Sequence, residues 1–235
     1  MVIPERARGW EPIWSDLNAL SNYWRAPEQV VVAWGERLRK AGGRRVLDLG
    51  CGIGRHTVAL ARMGFAVTAA DVAPSGLVTC AAWLAREGLS ATLTCHDMGM
   101  IPVPGSFFDG LIAYNVIYHA TVAGMRGILS EIRRVLRPNG YFYATIISRE
   151  DSKVAGYQAD IEAGKCLEIE PFTFVYPRDA PDDKYLPHHY SDEAEVHIFL
   201  TGFDLDDLFL KRVEYTDESG VVQAGVHYHV QARRL

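Results

Sequence analysis

The spacing of apolar positions along this chain switches repeatedly between two periods, and the switches set out a strand and helix rhythm. Residues 45–49 form a short apolar run broken by one aspartate, and 55–63 (RHTVALARM) carry helical spacing stopped by Gly64. Residues 65–70 (FAVTAA) predict a second strand, and 75–87 a second helix stopped by Gly88. ATLTC and FDGLIAYN follow as third and fourth strands. From 121 to 136, Val122, Met125, Leu129, Ile132 and Leu136 share one helical face, and RPNG then punctuates a turn before a fifth strand, YFYATIIS. Parallel neighbours need a crossover and a helix supplies it, so the pattern predicts a doubly wound, mostly parallel α/β sheet.

After Ser148 the rhythm breaks. Residues 149–190 are irregular in pattern, with four prolines from Pro171 to Pro187, and a long structureless stretch within a compact domain reads as a lid or a binding loop. Asp192 with Glu195 predicts a capping box, Val196, Phe199 and Leu200 the apolar stripe of a short helix, and Gly202 its end. Two further β-runs, 207–215 and 221–233, are joined by TDESG. That link is too short for a crossover, so they form an antiparallel hairpin and bring the sheet to seven strands.

Composition narrows the partners. A chain of 235 residues that is 49% apolar has material for one sizeable core, and a formal net charge of −5 argues against nucleic acid. The four cysteines are widely spaced without a C-x-x-C pair, which points to reduced thiols rather than a disulfide framework or zinc knuckle. No apolar run approaches the roughly 20 residues that cross a bilayer, and MVIPERARGW is too charged for a secretion signal. The expectation is a cytoplasmic monomer or homodimer with no membrane partner.

The chemistry concentrates in VLDLGCGIGRH. Gly50, Gly52 and Gly54 follow a strand and open a helix, where a missing Cβ lets a ligand approach backbone amides at the helix N-terminus. In a dinucleotide fingerprint the glycines fall as G-x-G-x-x-G, and here Arg55 stands where the third belongs. A dinucleotide therefore fits poorly. Asp71, ending the second strand, can accept hydrogen bonds from both hydroxyls of a ribose, which suits any adenosine ligand. Arg55 reads as a first-turn surface residue and Cys51 as a small loop filler.

VLDLGCGIG, AAD at 69–71, CHDM at 95–98, FDGLIAYNVIYH at 108–119 and RVLRPNGYFYATIIS at 134–148 resemble, in order, the successive motifs of the class I S-adenosylmethionine-dependent methyltransferases. The general look is similar to the branches that modify small metabolites, including the tellurite-resistance-like one. The resemblance covers about residues 40–235 and implies a Rossmann-like sheet with S-adenosylmethionine across the strand carboxyl ends. It implies that the Gly50, Cys51 and Gly52 backbone lies near the amino acid moiety, Asp71 on the ribose and Val72 on the adenine. Asp97 and Met98 would flank the adenine amino edge, Asn115 would sit under the cofactor's centre, and Asp48 would support the loop. On this reading residues 1–40 are an aromatic-rich helical lid, and 41–235 a methyltransferase domain with 149–190 inserted on the substrate side.

The acceptor side is read from aromatics and histidines. Trp10, Trp14, Tyr23, Trp24 and Trp34 crowd the chain ahead of the first strand, either packing that segment on the core or closing over a sulfonium, with Tyr23 and Trp24 as lid residues. Tyr118 and His119 follow the fourth strand, His188 and His189 end the irregular segment, and His227 and His229 share one face of the last strand. The sharper reading places Tyr118, His119 and one of His188 or His189 in the acceptor pocket, with Glu168 or Glu170 completing it and His119 as general base. No i, i+4 histidine pair fixes a ligand geometry, so no metal is expected. Methyl transfer from a sulfonium to a small-molecule acceptor is an in-line displacement, to which a protein contributes mainly by holding the reactants collinear. An NAD-dependent oxidoreductase on a similar scaffold, and a non-catalytic protein that binds S-adenosylmethionine, are the alternatives.

Overall fold

The computed structural model describes residues 6–15, 22–180, 182–216 and 220–235. The elements, in chain order, are α1 (Ala7–Ser15), a 3-10 turn (Asn22–Arg25), α2 (Gln29–Lys40), β1 (Arg45–Leu49), α3 (Arg55–Arg62), β2 (Ala66–Asp71), α4 (Pro74–Arg86), β3 (Thr92–Cys95), β4 (Phe108–Ala113), α5 (Val122–Val135) and β5 (Leu136–Ile147). There follow α6 (Lys153–Glu162), β6 (Leu167–Glu170), β7 (Thr173–Val175), a second 3-10 turn (Asp182–Tyr185), β8 (His188–His189), α7 (Glu193–Phe199), β9 (Phe203–Thr216) and β10 (Val222–Arg234).

Seven strands form one sheet in the order β3-β2-β1-β4-β5-β10-β9, parallel from β3 through β5, with β10 antiparallel to both neighbours. The predicted doubly wound sheet and terminal hairpin are both present. The sequence order of strands reverses between β1 and β4, and in open α/β sheets the crevice beyond the carboxyl ends at such a switch point is where ligands bind. The glycine loop leaves β1 and Asn115 leaves β4, so the topology delivers both to that crevice.

Both faces of the parallel strands are covered, and β4 is buried at all six positions. The amphipathic stripe of α5 buries Met125, Leu129 and Ile132 as the spacing predicts, and Thr121 caps the helix by accepting from the Gly124 amide at 3.1 Å. Asp192 caps α7 in the same way, accepting from the Glu195 amide at 2.9 Å. RPNG does not stop the chain before the fifth strand. It forms a bulge inside β5, where Asn139 takes φ +58° and the pairing jumps from Phe108–Leu136 to Gly110–Tyr141.

Two expectations are corrected. Residues 149–190 are not irregular, since they fold into α6 and a separate three-stranded sheet, β6-β7-β8. And α2, within the expected 1–40 lid, belongs to the core: Val31, Trp34 and Leu38 are buried against Val46, Ile112 and Tyr143 of the main sheet. Full burial of such side chains contributes about 1.5–3 kcal/mol each, so Trp34 anchors the sheet, and among the described residues of 1–40 it is α1 and the first 3-10 turn that cover the crevice.

Candidate active site

A continuous cavity of about 1190 Å³ opens at the switch point and runs from the glycine loop to the histidines. That exceeds the usual span for one small-molecule ligand and leaves room for two.

At the first end the backbone is bare by construction. Gly50 and Gly52 adopt φ of +69° and +52°, and a Cβ on Gly50 would stand 2.3 Å from Val116, so only glycine fits. Gly54 (φ +92°) performs the packing expected of a third fingerprint glycine, its absent Cβ leaving space for Cys80 of α4. Asp71 is buried and accepts from the Gly52 amide at 2.7 Å and the Ala73 amide at 2.9 Å. Burial raises its pKa while those amide bonds pull it down. A carboxylate offers about four acceptor directions, so these amides do not exhaust it and capacity remains for a sugar hydroxyl. Val72, Asp97 and Met98 line the adjoining wall. Asp97 already accepts from the Gly99 amide at 2.8 Å and pairs with Arg6 at 3.4 Å. Asn115 lines the floor in a left-handed conformation, φ +58°, locked by Thr145: its amide donates to Oγ1 at 2.7 Å and its Oδ1 accepts from it at 2.9 Å.

Asp48 does not reach the cavity. It lies beneath the loop, 2% exposed, accepting from Thr57 Oγ1 at 2.6 Å, and its support of the glycine turn is through that bond. Burial pushes its pKa up to about 6. Cys51 lines the cavity beside Cys80, whose hydrogen bond and the surrounding burial raise the Cys51 thiol, so it is not an activated thiolate.

Arg55 overturns its surface reading. The residue is 6% exposed, its guanidinium lies over the rings of Tyr23, Trp24 and Tyr114 at 4.6, 5.3 and 5.1 Å, and it donates to the Tyr23 carbonyl at 2.8 Å. It thus clasps the first 3-10 turn to the glycine loop. Tyr23 and Trp24 both line the cavity, and Trp14 stands against Gly52 and packs edge-on to Trp24. Helix α1 is tied at both ends of the cavity. Glu11 accepts from the Ser75 amide at 3.2 Å on α4, and the Gly9 amide donates to Tyr185 Oη at 3.0 Å beside the second 3-10 turn.

At the far end, Tyr118, His119 and His188 line the cavity. His119 is 6% exposed, edge-on to Trp10 and to His188, and its Nδ1 has no hydrogen-bond partner. Burial, with the neighbouring His188, lowers its pKa to about 3, which makes it a neutral ring and a weaker base than the sequence reading requires. His189 is turned away: it is fully buried, shared between Thr173 Oγ1 at 2.6 Å and Glu195 Oε2 at 2.9 Å, and holds the small sheet to α7. Glu168 and Glu170 are likewise spent on local bonds, to the Phe172 amide and to the Val122 amide with Thr173. Their expected place is taken by Asp183, which the sequence reading passed over. Its Oδ2 lies 3.1 Å from His188 Nε2 and 3.5 Å from His119 Nδ1. Although burial opposes ionisation, the His188 hydrogen bond and the nearby positive charge hold Asp183 well below the usual carboxylate range.

The sheet order, with its bare glycine turn after β1 and its cavity at the β1–β4 switch point, is a fold shared with solved methyltransferase structures. TehB from Haemophilus influenzae aligns with a TM-score of 0.64 at 16% identity, covering 96% of this chain and 67% of that one. The magnesium protoporphyrin IX methyltransferase of Synechocystis, solved with S-adenosylhomocysteine, aligns at 0.63 and 15%, covering 88% and 82%. Residues 46–140 match a family model described as a methyltransferase domain. A ubiquinone biosynthesis O-methyltransferase of Parvibaculum lavamentivorans is 30% identical over 105 residues, 45% of this chain and 41% of its own. A sterol 24-C-methyltransferase of Gibberella zeae is 31% identical over 131 residues, 52% and 34%. The chain thus covers less than half the length of these curated relatives.

Proposed function

We propose that this protein is an S-adenosylmethionine-dependent methyltransferase acting on a small-molecule acceptor, leaving S-adenosylhomocysteine as product. The observation that carries the reading is the continuity of the cavity, with a nucleoside end and a polar end on either side of Asn115. The residues present fit the cofactor: Gly50 to Gly52 offer backbone, Asp71 retains free acceptor directions for a ribose, and Val72 with Met98 offers an apolar slot for an adenine. When bound, the sulfonium supplies an electrophilic methyl, and aromatic faces such as those of Tyr23 and Trp24 favour such a cation. The chain's own work is placement. Helix α1 and the first 3-10 turn cover the cavity and exclude water, while Tyr118, His119 and His188 orient the acceptor. The oxidoreductase alternative gains nothing, because the glycines fall as G-x-G-x-G and Arg55, at the position of the fingerprint's third glycine, holds the turn that covers the loop.

The matched relatives act on small molecules by their names, which supports that acceptor class here. Among the described residues no helix is long and apolar enough to cross a membrane. The four free thiols support a reducing compartment, which we take to be the cytoplasm. Calorimetry with S-adenosylhomocysteine tests the reading. Asp71→Ala removes charge-assisted bonds worth about 1.5–3 kcal/mol, so it weakens binding by roughly 10- to 150-fold. Binding by neither protein at millimolar ligand defeats the proposal, and transfer of labelled methyl into a metabolite pool identifies the acceptor.

A further inference from the structure

The polar end of the cavity poses a problem in hydrogen-bond arithmetic. His188 Nδ1 lies 2.9 Å from the Leu186 carbonyl oxygen, which can only accept, so this nitrogen carries a proton. In the neutral ring, Nε2 then presents a lone pair to Asp183 Oδ2 at 3.1 Å. His119 Nδ1 faces the same oxygen at 3.5 Å and makes no hydrogen bond. Two imidazole nitrogens and one carboxylate oxygen converge on one point. A second proton on His188 would relieve one of the two contacts and leave His119 Nδ1 bare and nine-tenths buried. A cation between them relieves both.

We propose that His119, Asp183 and His188 bind one divalent first-row transition-metal ion at the acceptor end of the cavity. The three ligand atoms lie within 4.8 Å of one another. Metal–nitrogen bonds of about 2.0–2.1 Å put neighbouring ligand atoms roughly 3–3.5 Å apart, so only the two imidazoles need to draw together, by a small ring rotation. Two histidines and one carboxylate on one side of an ion, with the remaining positions open, suit zinc, iron(II), cobalt(II) or manganese(II) rather than the oxygen-preferring magnesium. The outer contact is in place as well, because the Leu186 carbonyl fixes the His188 tautomer as such carbonyls do for ligating imidazoles. All three residues line the cavity, so the open positions face the acceptor. An ion held there lowers the pKa of a hydroxyl bound to it, a task for which neutral His119 alone is poorly suited. The proposal rests on the methyltransferase reading only for that use, not for the site itself.

No ligand spacing is visible along the chain because the set is assembled from three places: the loop after β4, the second 3-10 turn and β8. The test uses the whole protein, stripped with chelator and titrated with cobalt(II) followed by visible absorbance, and with zinc(II) by calorimetry. One equivalent is expected to bind. Asp183→Asn and His188→Gln, each checked by circular dichroism for native fold, should weaken it at least about 100-fold, beyond what loss of an outer-shell partner costs. Absence of a cobalt spectrum in the wild type, or affinity in both folded variants equal to the wild type, overturns the proposal and leaves an imidazolium–carboxylate pair. S-adenosylhomocysteine binding, measured in parallel, separates the two readings: it persists if only the metal site fails, and it is lost with metal binding intact if only the methyltransferase reading fails.

Discussion

Replacing Arg55 by methionine removes a cation and all its donors while keeping an unbranched side chain of comparable length. In the native protein the guanidinium faces three aromatic rings and donates to the Tyr23 carbonyl at 2.8 Å. A cation over an aromatic face contributes about 0.5–1 kcal/mol, and a hydrogen bond from a charged donor about 1.5–3 kcal/mol. The rings share one cation, so their contributions do not add fully, and the clasp as a whole stabilises the docked 3-10 turn by about 3 kcal/mol. Loss of it should raise the open fraction of residues 22–28 by roughly 100-fold. Hydrogen exchange read by mass spectrometry should show that loss of protection in this peptide alone, with α3 and the sheet unchanged. Arg55→Lys, which keeps charge but not the planar fork, should fall between. Unchanged protection of 22–28 in a folded Arg55→Met protein refutes the clasp.

Two further outcomes follow from the same geometry. Gly50→Ala forces an L-residue to φ +69° and a Cβ to within 2.3 Å of Val116. The conformation costs about 1–2 kcal/mol and the overlap about 1–3 kcal/mol, so the melting temperature should fall, and adding Val116→Ala should restore only the overlap portion. Asp48 has a folded pKa of about 6 against an ordinary value of 3.8, so the stability it contributes is full below the lower value and is lost as pH rises through the higher one. The difference in unfolding free energy between wild type and Asp48→Asn, from urea titrations at pH 4 and pH 7.5, should shift by about 2.4 kcal/mol in favour of the variant at the higher pH. A difference independent of pH contradicts the buried ionisation.

The parallel core was legible because its signals are local: apolar runs of strand length, glycines after β1, and stripes such as that of α5. The 149–190 segment was not, for two physical reasons. Helix α6 buries only Tyr157, so it has no apolar stripe to detect, and β6, β7 and β8 are two to four residues long, too short to show alternation. The glycine turn was legible because its positive φ angles call for that residue type. The two adjacent histidines were harder. Neighbours on a strand face opposite sides, so only one could meet the cavity, and nothing local reveals that it is His188. Arg55 was misplaced because its partners, Tyr23, Trp24 and Tyr114, are distant in the chain. Asp183 depends on the second 3-10 turn, whose closure brings the carboxylate back to a histidine five residues on.

Helix α1 is fastened on one side to the α4 wall of the nucleoside end and on the other to Tyr185 at the acceptor end. One rigid piece therefore covers both compartments, and undocking it exposes both together. On the proposed function, spent nucleoside and modified acceptor would share a single departure event, so their dissociation rates should converge, and turnover would be paced by how often that helix lifts rather than by the affinity of either product.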